Sequence, residues 1–121
     1  MIDIDSLGFP KKARLLQTSD FDVVFKQNNF RVSTSGFLIL ARKNDFTYSR
    51  LGMIINKRTT PTSVKRNLIK RIVREAFRHV KLGPVDTVVL ARPPANNETK
   101  KQLREKLTLL FCELEKKVGN Q

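Results

Sequence analysis

Apolar positions along this chain switch between helical and strand spacing, and each switch marks an element. Phe21, Val24 and Phe25 stand at i, i+3 and i+4. Ser19 before them is an N-cap type, and Asp20 and Asp22 occupy the first turn, where the helix dipole favours anions. A short helix is predicted over residues 20–27, ended by Asn28-Asn29. Phe30-Arg31-Val32 alternates apolar and basic. Gly36 to Ala41 (GFLILA) is a near-continuous apolar run, Lys43-Asn44-Asp45 is turn chemistry, and Leu51 to Ile55 (LGMII) is a second apolar run. These read as three strands of an antiparallel meander. From Val64 the period returns to 3.6, through Leu68, Ile69, Ile72, Val73, Ala76, Phe77 and Val80. Pro61 cannot sit inside that helix, so it starts at Thr62 or Ser63, and Gly83-Pro84 stops it. Val85 to Ala91 (VDTVVLA) is a β-branched fourth strand, and Arg92 to Asn97 (RPPANN) a loop. From about Glu98, the positions Leu103, Leu107, Leu110, Phe111, Leu114 and Val118 mark a C-terminal amphipathic helix.

The order α-β-β-β-α-β-α describes an α+β fold, read as one domain over residues 1–121. The connection between the third and fourth strands is long enough for a crossover. Those two strands can then lie parallel in an otherwise antiparallel four-stranded sheet. Gly8 and Pro10 discourage regular structure early, and residues 1–13 are expected to form a flexible segment.

Charge sharpens this outline. The 121 residues carry a formal +13, and between Lys57 and Lys81 nine Lys/Arg face one acid, Glu75. At ~100° per residue, Arg66, Asn67, Lys70, Arg71, Arg74 and Arg78 share an arc of roughly 140° on the central helix. A solvated face usually mixes signs to form i, i+4 pairs. This one sets like charges side by side, which points to a polyanion, nucleic acid first. No stretch approaches the ~20 apolar residues of a membrane span, and no membrane partner is expected. MIDIDSLGFP has no apolar h-region and is not expected to be a secretory signal. A lone cysteine, Cys112, permits no internal disulfide and suits a reducing compartment.

Candidate chemistry is sparse. His79 stands alone near a helix end, a surface position. Cys112 reads as a small core residue of the last helix. No Cys/His set has metal-ligand spacing, no carboxylate pair suggests a two-metal nuclease, and no glycine-rich phosphate loop occurs. Neither a catalytic residue nor a protein-bound metal is therefore expected. Phe21, Phe25 and Phe37 read first as core, although aromatics beside a basic surface can also stack unpaired bases. A chain this basic with no catalytic set reads as one that binds RNA or DNA for something else to act on. DNA binding through the basic helix is disfavoured because its wide apolar arc keeps it embedded.

Arg50-Leu51-Gly52-Met53-Ile54-Ile55-Asn56-Lys57-Arg58 followed by Val64-Lys65-Arg66-Asn67-Leu68-Ile69-Lys70-Arg71-Ile72-Val73-Arg74-Glu75-Ala76-Phe77-Arg78 resembles the protein subunit of bacterial ribonuclease P. Asp86-Thr87-Val88-Val89-Leu90-Ala91-Arg92 resembles that family's last strand. Arg14-Leu15 and Phe21 to Phe25 are similar to its first helix region. The resemblance implies the same element order with a left-handed crossover, the fold of ribosomal protein S5 domain 2. It implies a cytoplasmic accessory subunit that needs no protein partner. The partner would be a catalytic RNA that carries the chemistry and holds Mg²⁺, and the substrate precursor tRNA, which loses its 5′ leader. Carried over, Lys57, Arg58, Lys65, Arg66, Asn67, Lys70, Arg71 and Arg74 would face the catalytic RNA. Phe21, Phe25 and Phe37 would line a leader cleft between the sheet and the first helix, with Asn56 and Arg92 near its rim. Two departures stand out. Leu68 replaces the usual basic residue and falls toward the apolar side. Thr59-Thr60-Pro61-Thr62-Ser63 lacks the usual glycine of the loop. A general structural RNA-binding protein of the ribosome type is the alternative.

Overall fold

The computed structural model describes residues 18–119. The expected flexible segment 1–13 and the Arg14-Leu15 match lie outside them. The elements are α1 (Thr18–Lys26), β1 (Phe30–Ser33), β2 (Phe37–Lys43), β3 (Arg50–Ile54), α2 (Ser63–His79), β4 (Val85–Ala91) and α3 (Lys100–Gly119). The residues read as a loop after β4 contain a 3-10 turn, Pro93–Asn97. This is the predicted α+β order in one domain.

The strands are arranged β1-β2-β4-β3. The predicted meander is therefore wrong in one respect: β4 inserts between β2 and β3. It pairs antiparallel with β2, from Phe37↔Ala91 to Lys43↔Val85, and parallel with β3, from Arg50↔Asp86 to Ile54↔Leu90. β2 and β4 are apolar on both faces, which suits them to the centre of a sheet covered on both sides. The short β1 alternates buried and exposed residues and lies at an edge.

The period of 2 along each strand sends alternate residues to opposite faces. Phe37, Ile39 and Ala41 of β2, Val85, Val89 and Ala91 of β4, and Leu51 and Met53 of β3 pack under α2 and α3. Helix α2 contributes Ile69, Ile72, Val73, Ala76 and Phe77, and α3 contributes Leu103, Leu107, Leu110, Phe111 and Leu114. Phe77 meets Phe111 edge-on at 6.2 Å. The opposite face carries a much smaller core, where Phe21 and Val24 of α1 sit on Leu40 and Val88.

Local chemistry sets the helix ends. Thr62 Oγ1 accepts from Lys65 N at 3.2 Å and caps α2. Helix α2 ends at His79, earlier than Gly83-Pro84. Val80 turns extended, Leu82 drops into the core, and Lys81 N donates to Glu115 Oε2 at 2.8 Å. Burial of Leu82 thus ends the helix, while Gly83 (φ +72°) makes the turn into β4. Helix α3 begins with a capping box. Gln102 N donates to Thr99 Oγ1 at 3.1 Å, and Thr99 N to Gln102 Oε1 at 2.9 Å. Helix α1 begins by Thr18, which puts Ser19 inside the first turn instead of at the cap. Gly36 is closely approached: a Cβ there would lie 2.7 Å from Glu98 Oε1 and 3.3 Å from Ala95 Cα, so a side chain would have to displace the Glu98 carboxylate. Cys112 is exposed, contrary to expectation. At ~100° per residue it stands about 160° from both Leu110 and Leu114, and so on the outer flank of α3.

Candidate nucleic-acid interface

Helix α2 lays its apolar side on the sheet and leaves its cations outside. Lys57, Arg58, Asn67 and Arg71 are exposed, and Lys65, Arg66 and Lys70 half-buried. Lys57, Arg58, Lys70 and Arg71 form no ion pair among the described residues. The helix has no acid in its first turn. Its positive dipole end therefore adds to the cationic field, an arrangement suited to an anionic partner. Leu68 packs against the core, as its angular position predicts.

Three of the expected RNA contacts are drawn inward. Arg74 is 5% exposed. It stands in the middle of the basic arc, yet it lines a cavity of about 230 Å³ with Arg71, Glu75 and Arg78. Arg66 Nη1 donates to Thr60 O at 2.9 Å and Pro61 O at 2.8 Å. Lys65 Nζ donates to Glu98 O, which ties α2 to the start of α3.

Arg66 also explains how the loop before α2 manages without glycine. Asn56 closes the turn: Oδ1 accepts from Thr59 N at 3.0 Å, and its carbonyl from Thr60 N at 3.0 Å. Thr60 is buried. No non-glycine residue among those described has positive φ, so the loop has no position that demands a glycine.

A second surface lies on the other face of the sheet, where the register sorts side chains into rows. Arg42, Asp86 and Arg50 form one row across β2, β4 and β3, and Leu38, Leu90 and Ile54 another, with Leu40 and Val88 between them. Helix α1 crosses the strands over the middle, its Asp20 reaching Arg50 of β3 and Gln27 reaching Arg42 of β2. At ~100° per residue, Asp20 and Phe25 stand about 140° apart, with buried Phe21 and Val24 between them. The two flanks of α1 therefore differ. On the Asp20 flank lies a polar pocket of about 360 Å³ that includes Val23, Arg42, Asn44, Phe46, Arg50 and Asp86. On the other flank stands Phe25, 39% exposed, and on that side of the Leu40–Val88 row lies the half-buried shelf Leu38–Leu90–Ile54. Asn56 and Arg92 follow β3 and β4 at that end, and Arg92 Nη1 donates to Thr34 O at 3.2 Å.

Asn56 and Arg92 stand at one end of the sheet, Phe25 is exposed on α1, and Phe21 is buried on its underside. Phe37 is not part of this surface. It is 0% exposed and points to the opposite face, under α2 and α3. Its chain neighbour Leu38 supplies the floor instead. The three shelf residues were missed because both faces of β2 and β4 are apolar, and composition does not say which parity faces α1.

The polar cluster was missed too. Arg50 grips Asp86 in a fork, Nε to Oδ1 at 2.8 Å and Nη2 to Oδ2 at 2.7 Å, and reaches Asp20 Oδ1 at 3.4 Å. Asn44 Nδ2 adds a bond to Asp86 Oδ1 at 2.9 Å, and the Arg50 guanidinium lies 4.5 Å from the Phe46 ring centre. The Asp86 hydrogen bonds raise the Arg50 pKa above its ordinary value, against the opposing effect of burial. An Asp inside the apolar run VDTVVLA is the signal that could have revealed this pair.

No group of three or more His, Cys, Asp or Glu among the described residues could hold a metal ion. No helix among them is long and apolar enough to cross a membrane.

Comparison with known proteins identifies the family and the fold. The family model described as Ribonuclease P matches residues 9–115. A ribonuclease P protein component from Legionella pneumophila is 40% identical over 100 residues, covering 83% of this chain and 87% of that protein. One from Saccharophagus degradans is 40% identical over 112 residues, covering 91% and 83%. Among solved structures, the RNase P protein of Staphylococcus aureus matches with a TM-score of 0.74 at 28% identity, covering 84% of this chain and 94% of that one. That of Thermotoga maritima matches with a TM-score of 0.66 at 32% identity, covering 82% and 96%.

Proposed function

We propose that this chain, which belongs to the ribonuclease P protein family, holds a catalytic RNA on α2 and the 5′ leader of precursor tRNA beside α1. Membership makes it the protein component of a ribonucleoprotein endonuclease of tRNA processing. The finer assignment rests on one observation: a single sheet separates a strongly cationic helix from an open apolar shelf. Two unlike surfaces on opposite faces suit two unlike RNA segments.

Lys57, Arg58, Asn67, Lys70 and Arg71 neutralise and hydrogen-bond phosphates of the catalytic RNA. Arg66 and Lys65 act chiefly by fixing the loop and the start of α2, and Arg74 lines the base of the arginine cavity. On the other face the leader is single-stranded, so its bases are free to rest on the Leu38–Leu90–Ile54 shelf under Phe25. Asn56 and Arg92 meet its backbone at the rim. Because mature tRNA has no leader, binding there favours precursor.

The bond cleavage belongs to the RNA. Mg²⁺ supplies charge stabilisation there, and the described residues of this chain form no ligand set for it. The protein contributes electrostatics and position, works without a further protein partner, and acts in the cytoplasm alongside its substrates.

The test is precursor-tRNA cleavage by a bacterial ribonuclease P RNA at low Mg²⁺, with and without the protein, beside the protein alone. Cleavage only in the combined reaction is expected. Tight RNA binding without rescue of cleavage would support a general structural RNA-binding role, and cleavage by the protein alone would place chemistry on this chain.

A further inference from the structure

The polar pocket on the Asp20 flank of α1 is not used by the reading above. Its central group is Arg50, whose side chain is only 15% exposed and whose fork is committed to Asp86, 7% exposed. The remaining reach of Nη2 goes to Asp20 of α1, 25% exposed, at 3.4 Å. Arg50 is therefore a fixed post on the sheet, and Asp20 is the movable end of the contact.

Helix α1 is also held along its underside and just past its C-terminal end, where Arg42 Nη2 donates to Gln27 Oε1 at 3.4 Å. Phe21 and Val24 rest on Leu40 and Val88. Asn28 Nδ2 donates to Val24 O at 3.3 Å and Phe25 O at 3.2 Å. Asn29 N donates to Ala41 O at 2.8 Å, and Lys43 N to Asn29 Oδ1 at 2.9 Å. These contacts fix where α1 crosses the sheet. They constrain less well its roll about its own axis, because a narrow apolar seam of two residues works as a pivot. Asp20 and Phe25 lie on opposite sides of that pivot.

We infer that Arg50 and Asp20 form a positioning clamp that sets the roll of α1, and through it the height of Phe25 above the Leu38–Leu90–Ile54 shelf. The clamp determines how well a single-stranded leader fits, without touching it. This inference rests on the leader-groove reading and names the residues that regulate that groove.

The decisive variant is Asp20→Asn, which leaves the buried Arg50–Asp86 fork intact. Its sign separates positioning from simple electrostatics. Removing a carboxylate near a polyanion strengthens binding if charge alone matters. Loosening the clamp weakens it. The holoenzyme is assembled on a bacterial ribonuclease P RNA, and affinities are measured for one precursor tRNA with its leader and for the mature tRNA. Asp20→Asn is expected to lower the precursor-to-mature affinity ratio by about two- to fivefold, the scale of a partly exposed ion pair. Affinity for the catalytic RNA and the thermal midpoint of the free protein should stay unchanged, and Asp20→Glu should recover most of the ratio. An unchanged ratio, or precursor and mature tRNA both bound more tightly, would overturn the clamp. An unsubstituted holoenzyme with no preference for precursor would overturn the leader groove itself, and the clamp with it.

Discussion

Phe37 and Leu38 are neighbours in sequence, yet they belong to opposite sides of the molecule. Under α2 and α3 the sheet buries a broad, continuous core that includes Phe37, Ile39, Phe77 and Phe111. Under α1 it buries four residues, Phe21, Val24, Leu40 and Val88, and leaves Leu38 and Ile54 half-open beside them. The thick side supplies stability and presents α2 as a rigid cationic face. The thin side has apolar surface left over after folding, which a ligand can cover. A large core and an open groove are hard to build on one sheet face, and this fold assigns them to different faces.

That contrast can be broken most severely at Phe37. Phe37→Ala should cost about 3–5 kcal/mol in chemical or thermal unfolding, because it empties a fully buried site. A loss confined to leader affinity at unchanged stability would return Phe37 to the groove. Phe25→Ala should do the reverse. Precursor binding should weaken by ~1–3 kcal/mol through lost stacking, while unfolding stability moves by no more than ~0.5 kcal/mol at an exposed position. Equal losses with precursor and mature tRNA would argue against a leader contact.

The α2 side offers two finer tests. Arg71→Ala should flatten the salt dependence of binding to the catalytic RNA by about one unit of slope, the mark of one lost phosphate contact. Discrimination between precursor and mature tRNA should survive. A change in that discrimination would mean the two faces are coupled. Thr62→Ala removes the N-cap of α2 and should destabilise the protein by about 1 kcal/mol. Stability untouched by the loss of this cap would show that packing on the sheet alone holds the first turn.

Much of the cationic surface was legible because helical periodicity is local. Lys70 and Arg71 fall on the outer arc whatever the helix packs against, and Leu68 falls inward by the same angles. Arg74 shows the limit. Its angular position is in the middle of the basic arc, but its burial is set by the side chains packed around it, which helical angles do not give. Cys112 fails for a similar reason, since an apolar residue type on an amphipathic helix is not thereby on its buried face. Asn56 and Arg92 were placed together by the family resemblance, and strand pairing brings them to one end of the sheet.

By itself the sequence determined the elements, their order and the concentration of charge on one helix, all of which follow from spacing within a few residues. Tertiary structure alone decided that β4 lies between β2 and β3, and which parity of each strand looks toward α1. Strand order rests on pairing between distant segments, and two apolar faces give no local sign of their partners. The Arg50–Asp86 fork is of the same kind. Thirty-six residues separate its members along the chain, and only the β3–β4 register sets a buried cation beside the carboxylate that holds it.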